Sequence, residues 1–279
     1  MFNRTIINDL KHWKEQKDRK PLMMLGARQV GKTSVLKRFG RECFEHCVYF
    51  SLDEEAGVCD IFRTTKNPTQ IIEQLSYLTD EPILPEKTLL VLDEIQDCPE
   101  AISSMKYFCE KTPEYAIACA GSLLGLAFGH EGFSFPVGKV DHINMYPVTF
   151  SEFLEQKDSG LYRYYKSIDS IEPLPQVFFD RLSQAFTAYR ISGGMPEAAM
   201  KMIEVDMKGV ETKLQNILQD YTLDFVKHAT PQLANRISHL WNSLPSQLAK
   251  ENRNFIQQLV RPGGRAREYQ DASVGLHNA

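Results

Sequence analysis

The sequence predicts an α/β fold in which a parallel sheet is covered by helices on both faces and is followed by a helical region. Up to about residue 148, short apolar runs alternate with stretches of helical periodicity, which is typical of parallel strands joined by crossover helices. After Pro147 the sequence becomes helical in character. The chain has 279 residues, 43% hydrophobic and 24% charged, enough for one sizeable core and a smaller module.

The elements of the first half follow in order along the chain. Residues 3–17 predict an amphipathic helix, because Ile6, Ile7, Leu10 and Trp13 fall on one face. The predicted strands are residues 21–25, 48–52, 88–92 and 115–120, with a fifth at 138–145. Helices are predicted between them at 32–39, 68–78 and 102–109.

The second half predicts helices separated by short breaks. Thr149, with Glu152 three positions later, fits a capping box that starts a helix. Helical stretches at 175–191 and 196–227 are separated by the Ser-Gly-Gly-Met-Pro sequence of 192–196. Helix-like runs at 233–243 and 245–250 precede a Pro-Gly-Gly turn at 262–264. We therefore predict three parts: a core at 1–148, a helical region at 149–230 and a third segment at 231–279.

The loop after the first predicted strand carries a phosphate-binding motif. Residues 26–33, Gly-Ala-Arg-Gln-Val-Gly-Lys-Thr, fit G-x-x-x-x-G-K-[ST] at every fixed position. The glycines let the backbone approach phosphate oxygens, so that successive N–H groups and the next helix N-terminus face the anion. Lys32 is expected to reach the β- and γ-phosphates, and Thr33 to ligate Mg²⁺. This predicts a three-layer P-loop NTPase core that uses ATP, or another nucleoside triphosphate, with Mg²⁺. The predicted nucleotide-binding residues are Gly26, Ala27, Arg28, Gln29, Val30, Gly31, Lys32, Thr33 and Ser34.

An apolar strand that ends in two acids supplies the second element of such a site, the Walker B strand. Residues 89–94 read Leu-Leu-Val-Leu-Asp-Glu. Asp93 is predicted to hold Mg²⁺ with Thr33, and Glu94 to orient and polarise the attacking water. We expect Asp93 to end the strand that neighbours the P-loop strand, within reach of Thr33. The alternative is a strand end with two solvated acids.

Three other polar positions at the predicted strand ends have two interpretations each. Ser122 is a candidate sensor of the γ-phosphate or of the water, or else it caps a helix over residues 123–128. Asp53 and Glu54 follow the second strand, at the edge where open α/β sheets bind ligands. They are either part of the site or surface acids.

Arginine, histidine and cysteine add few further candidates. Arg28, Arg63 and Arg190 could neutralise charge during phosphoryl transfer, although each also fits a surface or packing role. The seven histidines have no metal-ligand spacing, and the six cysteines form no C-x-x-C pair.

The N-terminal residues lack the apolar stretch of a signal peptide. No window reaches the roughly 18 apolar residues of a membrane span, so we expect a cytoplasmic protein with reduced thiols and no membrane partner.

Six stretches of the sequence carry a family resemblance: 26–33, 89–96 (LLVLDEIQ), 121–124 (GSLL), 145–154 (MYPVTFSEFL), 193–197 (GGMPE) and 245–252 (PSQLAKEN). On these residues the chain resembles a family of prokaryotic AAA-type P-loop ATPases. In that family the ATPase core is followed by helices and by a C-terminal domain of unknown function with a restriction-endonuclease-like core. The resemblance implies ATP and Mg²⁺ at Lys32, Thr33, Asp93 and Glu94, a contact of Arg4 near the nucleotide base, and a winged-helix fragment from residue 245 onward. It also implies a truncated C-terminal domain.

The P-loop and Walker B residues favour an ATPase in which water attacks the γ-phosphate. The predicted catalytic residues are Glu94, Lys32 and Ser122, and the helical region is expected to report nucleotide state. A small-molecule kinase fits less well, because Glu94 beside Asp93 suits water activation better than an acceptor pocket.

The alternative is a nucleotide-gated DNA-binding switch with slow hydrolysis, although the net charge of −4 argues against a chain-wide nucleic-acid surface. Its support is a helix-turn-helix-like segment at 244–259 and a basic cluster, which also fits a solvated face: Arg253, Arg261, Arg265 and Arg267. A helix is predicted at 265–276, and its apolar stripe of Tyr269, Ala272 and Leu276 needs a partner surface that no later element is expected to supply. This segment is therefore expected either to fray or to pack on the preceding helices less tightly than the ATPase core packs.

Overall fold

The computed structural model describes residues 2–122 and 135–250, together with Ile256, Val260, Tyr269, Ala272 and Ser273. Its sheet has five strands in the order β2-β3-β4-β1-β5, and every neighbouring pair is parallel. This confirms the predicted parallel sheet, with strand ends shifted by a few residues. The strands are β1 (Leu22–Gly26), β2 (His46–Ser51), β3 (Thr88–Asp93), β4 (Ala116–Ser122) and β5 (Asp141–Met145).

In the part of the chain that the structure describes, five helices and one 3-10 turn (Ile95–Asp97) accompany these strands. The segment 56–64 was not predicted to be helical, because it follows a run of acids and buries only Val58, Cys59 and Phe62. The helices are α1 (Ile6–Glu15), α2 (Lys32–Cys43), α3 (Ala56–Thr64), α4 (Pro68–Ser76) and α5 (Pro99–Lys111).

The sheet is the middle of three layers. In β3 all six residues are buried, and successive side chains alternate between its two faces. Leu89 and Val91 pack in the core that includes α1 and α2. Leu90 and Leu92 pack in the core that includes α3, α4 and α5. A strand buried on both faces reads as a continuous apolar run, which is why β3 was recognisable from sequence.

The prediction that Asp93 ends the strand next to the P-loop strand was wrong in one respect. β4 lies between β1 and β3, so the two strands are not neighbours. They nevertheless end at the same edge of the sheet, as expected. α2 contacts β1, β4, β3 and β2, and it therefore carries Thr33 across the end of β4 to Asp93. The pattern along the chain identifies strands but does not say which of them pair.

Among the described residues, six helices follow the sheet: α6 (Phe150–Lys157), α7 (Ser159–Lys166), α8 (Gln176–Ser192), α9 (Pro196–Ile203), α10 (Met207–His228) and α11 (Pro231–Leu248). The capping box at the start of α6 is confirmed. The stretch 196–227, predicted as one helix, is broken before α10, where Val205 has a left-handed φ of 62°. The two runs predicted at 233–243 and 245–250 are instead the single helix α11, which contains Pro245.

Two residues of the predicted C-terminal stripe pack on the preceding helices, so the first of the two expected outcomes, fraying, does not apply to them. Tyr269 and Ala272 are buried in one cluster with Phe225, Ile237 and Leu240 of α10 and α11. Leu276, the turn at 262–264, most of the helix predicted at 265–276 and the four arginines of the basic cluster lie outside the described residues. Of the helices described, none is both long and apolar enough to cross a membrane.

Candidate nucleotide-binding site

The predicted phosphate-binding loop joins β1 to α2. Gln29 and Gly31 both have left-handed backbones, with φ of 61° and 93°. Residues other than glycine rarely adopt the backbone conformation of Gly31. Gly31 is also the N-cap of α2 and offers its first turn no side-chain acceptor. The N–H groups at a helix start are otherwise unsatisfied. The loop therefore leaves donors for an anion, as its sequence predicts.

Lys32 is folded back over this loop and is 8% exposed. Its Nζ donates hydrogen bonds to the carbonyl oxygens of Gly26 (3.0 Å) and Ala27 (2.9 Å). Burial lowers the pKa of Lys32, and the carboxylates of Glu94 and Asp93 oppose that shift. The ammonium group thus lies in the field of both acids that end β3.

Asp93 is buried at the end of β3 and accepts three hydrogen bonds. Its Oδ2 accepts from Thr33 Oγ1 (2.5 Å) and from the hydroxyl of Tyr49 (3.0 Å), and its Oδ1 accepts from the backbone N of Glu94 (3.0 Å). Tyr49 lies on β2 and was not singled out from sequence, because a tyrosine in an apolar strand looks like a core residue. Burial raises the pKa of Tyr49 to about 12, with Asp93 adding to the shift, so the phenol remains a donor at neutral pH.

The donor set at Thr33 and Asp93 fits Mg²⁺. A hydroxyl and a carboxylate are hard oxygen ligands, and Mg²⁺ is commonly held by one or two such groups together with phosphate and water oxygens. Within residues 2–122 and 135–250 and the five further described positions, His, Cys, Asp and Glu side chains form no group of three that could hold a metal. A dedicated all-protein metal cage is therefore not part of the described structure.

Glu94 follows Asp93 and also has a left-handed backbone (φ 50°, ψ 46°). Its Oε2 accepts a hydrogen bond from Nε2 of Gln96 (2.5 Å). Ser122, the candidate sensor, ends β4 in register with Gly26 and is 2% exposed. Its backbone N donates to Oε1 of Gln96 (3.2 Å). The structure thus brings Glu94 and Ser122 together through Gln96, whereas the helix that Ser122 was alternatively predicted to cap lies outside the described residues.

A comparison with protein families agrees with the phosphate-binding motif of this site. Residues 18–154 match the AAA domain family. These residues carry an AAA-type P-loop ATPase domain. The matched stretch spans β1 to β5 and most of α6, and it contains Lys32, Thr33, Asp93, Glu94 and Ser122. Residues 155–279 lie outside it.

Several solved structures are similar at low identity, and no curated protein matches the chain. C. elegans PCH-2 is 11% identical with a TM-score of 0.37, over 77% of this chain and 70% of that one. AMPPCP-bound DnaA from Aquifex aeolicus is 14% identical with a TM-score of 0.38, over 98% and 84%. The S. cerevisiae Hsp104–ADP complex is 12% identical with a TM-score of 0.42, over 99% and 39%.

Arg4 lies beside the P-loop of the ATPase domain and is buried. Its Nε donates to Oε2 of Glu152 (3.2 Å), its Nη1 to the carbonyl of Val30 (3.0 Å) and its Nη2 to the carbonyl of Tyr146 (2.6 Å). These bonds tie the N-terminus to the P-loop, to the residue after β5 and to the first turn of α6. Arg4 also lines a pocket of about 280 Å³ together with Phe2, Val30, Gly31, Ser34, Val35, Pro196 and Met200.

The P-loop side chains Arg28 and Gln29 point toward the helical region. Arg28 pairs with Asp224 of α10, and Nε2 of Gln29 donates to Asp220 of the same helix (2.5 Å). Neither acid was singled out from sequence, because both lie in an ordinary amphipathic helix nearly 200 residues from the loop.

The remaining candidates lie on the surface. Arg63 pairs with Asp60 and Glu100 on exposed faces, and Arg190 is exposed on α8. Asp53 and Glu54 are exposed after β2, where Asp53 accepts a hydrogen bond from Ser51 Oγ (2.7 Å). The structure does not bring these four residues into contact with Lys32, Thr33 or Asp93.

Proposed function

We propose that the ATPase domain binds ATP with Mg²⁺ and hydrolyses it by attack of water on the γ-phosphate. The observation that supports this most directly is the meeting of the P-loop helix and β3, where Thr33 Oγ1 lies 2.5 Å from Asp93 Oδ2. Lys32 and Glu94 adjoin this pair in sequence and interact electrostatically with each other. A phosphate-binding lysine, an oxygen donor pair for a cation and a carboxylate that can act as a base therefore occur at one edge of the sheet.

Each of these residues has its own task in the proposed reaction. Lys32 and the P-loop N–H groups bind the β- and γ-phosphates, and Ser122 senses the γ-phosphate or the water. Thr33 and Asp93 would hold Mg²⁺, which supplies neutralisation of the phosphate charge. Glu94 orients a water molecule and takes its proton, while the water oxygen bonds to the γ-phosphorus and the β–γ bridging P–O bond breaks.

The pocket beside Arg4 is a suitable place for the nucleotide base. Its walls include the apolar side chains of Phe2, Val35, Pro196 and Met200, and it adjoins the P-loop at Gly31. An aromatic base needs an apolar cleft with a few polar groups that fix its orientation. Arg4 is held rigidly by three partners and can serve as one of these groups. The proposed Arg4 contact with the base follows from this position.

We further propose that the helical region reports nucleotide state through α10. This helix contacts the P-loop through Asp220 and Asp224, and its Lys227 Nζ donates to Oδ2 of Asp97 (2.8 Å), at the end of the 3-10 turn after β3. Both chain segments that would touch the phosphates or the water therefore also contact one helix outside the matched domain. A change in either segment can be transmitted to α10.

The experiment that tests the hydrolysis proposal compares Glu94→Gln with Glu54→Gln, a matched removal of an exposed acid near the same sheet edge. ATP binding and phosphate release are measured on the same preparations, with and without Mg²⁺. Glu94→Gln is expected to bind ATP normally and to hydrolyse it about 100-fold more slowly, because it loses the base. Glu54→Gln is expected to match the parent. Parental turnover in Glu94→Gln would refute the assignment of the water-activating residue.

A nucleotide-gated DNA-binding switch remains the alternative function, and the same preparations address it. The four arginines that motivated it lie outside the described residues, so it gains no support from contacts. A switch of this kind would hydrolyse ATP slowly in the parent protein. It would also bind DNA with an affinity that falls steeply as salt rises, in proportion to the phosphates contacted. DNA binding without salt dependence, or none at all, would exclude it.

A further inference from the structure

Gln96 bridges two elements of the site and was not singled out from sequence. It is the middle residue of the 3-10 turn Ile95–Asp97 and is 5% exposed. Its side-chain amide joins two elements. Nε2 donates to Oε2 of Glu94 (2.5 Å), and Oε1 accepts from the backbone N of Ser122 (3.2 Å). One side chain therefore connects the end of β3 to the end of β4.

The chemistry at both ends requires an amide in this orientation. The backbone N–H of Ser122 can only donate, so the atom facing it must be the amide oxygen. The ionised carboxylate of Glu94 can only accept, so the atom facing it must be the amide nitrogen. Both ends assign the same orientation to Gln96. A glutamate here would keep the acceptor but lose the donor, and an apolar side chain would lose both.

The surrounding backbone leaves little room for Gln96 to move. A Cβ built on Gly121 would lie 3.1 Å from Oε1 of Gln96 and 3.0 Å from Cγ2 of Ile95, so the amide rests against a strand that has no side chain at this point. Ile95 is fully buried in the core between the sheet and α5. The turn that carries Gln96 is therefore anchored independently of any ligand.

Glu94 needs such a partner because its backbone leaves the strand direction. Its left-handed φ of 50° begins the 3-10 turn, and its carbonyl accepts a hydrogen bond from the N of Asp97 (3.0 Å). A non-glycine residue in this conformation persists only where its surroundings enforce it. The turn orients the Cα–Cβ bond of Glu94, but its side-chain torsions still have to be restrained.

We propose that Gln96 is a positioning residue, which holds the carboxylate of Glu94 in a set relation to Ser122 at the tip of β4. This inference rests on the proposed ATP hydrolysis and adds a residue to it. Gln96 touches neither substrate nor metal in this scheme. It acts by restricting where the base can lie, so that the base is already placed when the water attacks the γ-phosphate.

A positioning role and a purely structural role predict different kinetics. If Gln96 only joins β3 to β4, its loss lowers the melting temperature and weakens ATP binding. If it positions Glu94, its loss lowers kcat while the Kd for ATP is unchanged, because the P-loop does not depend on it. The loss of a hydrogen bond to a charged group changes an equilibrium or rate constant by about 10- to 100-fold.

The test uses the full chain with Gln96→Glu, Gln96→Met and Gln96→Asn, and with Gln74→Glu on an exposed face of α4 as the matched control. Gln96→Glu and Gln96→Met are expected to lower kcat about 10- to 100-fold with less than a twofold change in the Kd for ATP. Gln96→Asn keeps both groups on a shorter side chain and is expected to recover part of kcat. The control is expected to match the parent. An unchanged kcat, or a Kd that rises in parallel with a lower melting temperature, would overturn the proposal.

A second measurement does not depend on hydrolysis. The side-chain NH₂ resonance of Gln96 is identified by its absence in Gln96→Met and is followed in Glu94→Ala and in the control Glu54→Ala. It is expected to shift only in Glu94→Ala. If the parent protein does not hydrolyse ATP, the proposed function fails. The NMR result then decides the Gln96 pairing alone: a shifted resonance supports it, and an unmoved one overturns it.

Discussion

Arg28 of the P-loop and Asp224 of α10 form a two-point ion pair. Nε of Arg28 lies 2.5 Å from Oδ2 of Asp224, and Nη2 lies 2.5 Å from Oδ1. The side chain of Asp224 is 1% exposed and that of Arg28 is 27% exposed. The same carboxylate contributes to the field at Lys32: burial lowers the pKa of Lys32, while Glu94, Asp93 and Asp224 raise it. Asp224 therefore lies within electrostatic reach of the predicted phosphate site.

Asp224→Asn is expected to tighten nucleotide binding. A buried carboxylate near the phosphates repels them and also competes for Arg28. Its removal is worth on the order of 1 kcal/mol, or about fivefold in Kd. The control is Glu211→Gln, which removes a charge from an exposed position on the same helix. Titration with a fluorescent ATP analogue measures both. Unchanged or weaker binding in Asp224→Asn would show that α10 does not oppose the nucleotide.

Lys32→Ala is expected to abolish most of the affinity for ATP. The phosphates lose a charge-assisted partner, which corresponds to about 10- to 100-fold in Kd. Lys66→Ala, at an exposed position after α3, removes the same charge and is expected to bind like the parent. Calorimetric titration with Mg²⁺–ATP gives both constants. Equal affinity in the two variants would mean that the loop does not bind phosphate.

Glu152 is expected to stabilise the protein in a pH-dependent way. Burial raises its pKa, but hydrogen bonds from Thr149 and Thr5 and the charge of Arg4 outweigh burial, so that the pKa is lowered from 4.5. The unfolded state therefore binds a proton at a higher pH than the native state does. Stability from this group is fully present above about pH 5 and is lost as the pH falls through the native pKa.

Glu152→Gln tests this expectation. At neutral pH it should cost about 3 kcal/mol, because buried Arg4 loses its charged partner. The difference in free energy of unfolding between the parent and Glu152→Gln should narrow as the pH falls below about 4.5. Urea unfolding at several pH values measures it, with Glu155→Gln, one turn along α6, as the control. A gap that stays constant from neutral to acid pH would rule out ionic stabilisation by Glu152.

Sequence patterns predicted those parts of the site that depend on local spacing. The P-loop, the acids that end β3 and the capping box of Thr149 and Glu152 each involve residues within one turn or one loop. Their chemistry constrains residue type at set intervals, so one sequence is enough to find them. The same holds for β3, whose burial on both faces demands an unbroken apolar run.

Contacts between segments distant in the chain could not be predicted in this way. The position of β4 between β1 and β3 cannot be read from the periodicity of apolar residues along the chain. Asp224 looks like any polar residue of an amphipathic helix. Gln96 stood in the LLVLDEIQ stretch, but only the proximity of Ser122 N reveals that its amide is used at both ends. Tyr49 was hidden for the same reason, since its hydroxyl reaches Asp93 across neighbouring strands.

Tyr49→Phe is expected to weaken the protein modestly at neutral pH and less at alkaline pH. The variant loses the hydrogen bond to Asp93, worth about 1 kcal/mol. Burial raises the native pKa of Tyr49 to about 12 from 10.0, so the unfolded state gives up its proton first as the pH rises. The free energy of unfolding of the parent therefore falls between those two values, and that of Tyr49→Phe lacks this contribution.

Unfolding in urea at pH 8, 10 and 11 measures the difference in free energy of unfolding between the parent and Tyr49→Phe. Tyr77→Phe is the control, since Tyr77 is 78% exposed and should change stability little at any pH. Because Tyr49 is only partly buried, the alkaline loss should be about 1 kcal/mol rather than the full value that the pKa shift would give. The stability gap should therefore close as the pH rises. A gap that widens with pH would mean that the phenol ionises first in the native state, and that Tyr49 does not act as a donor to Asp93.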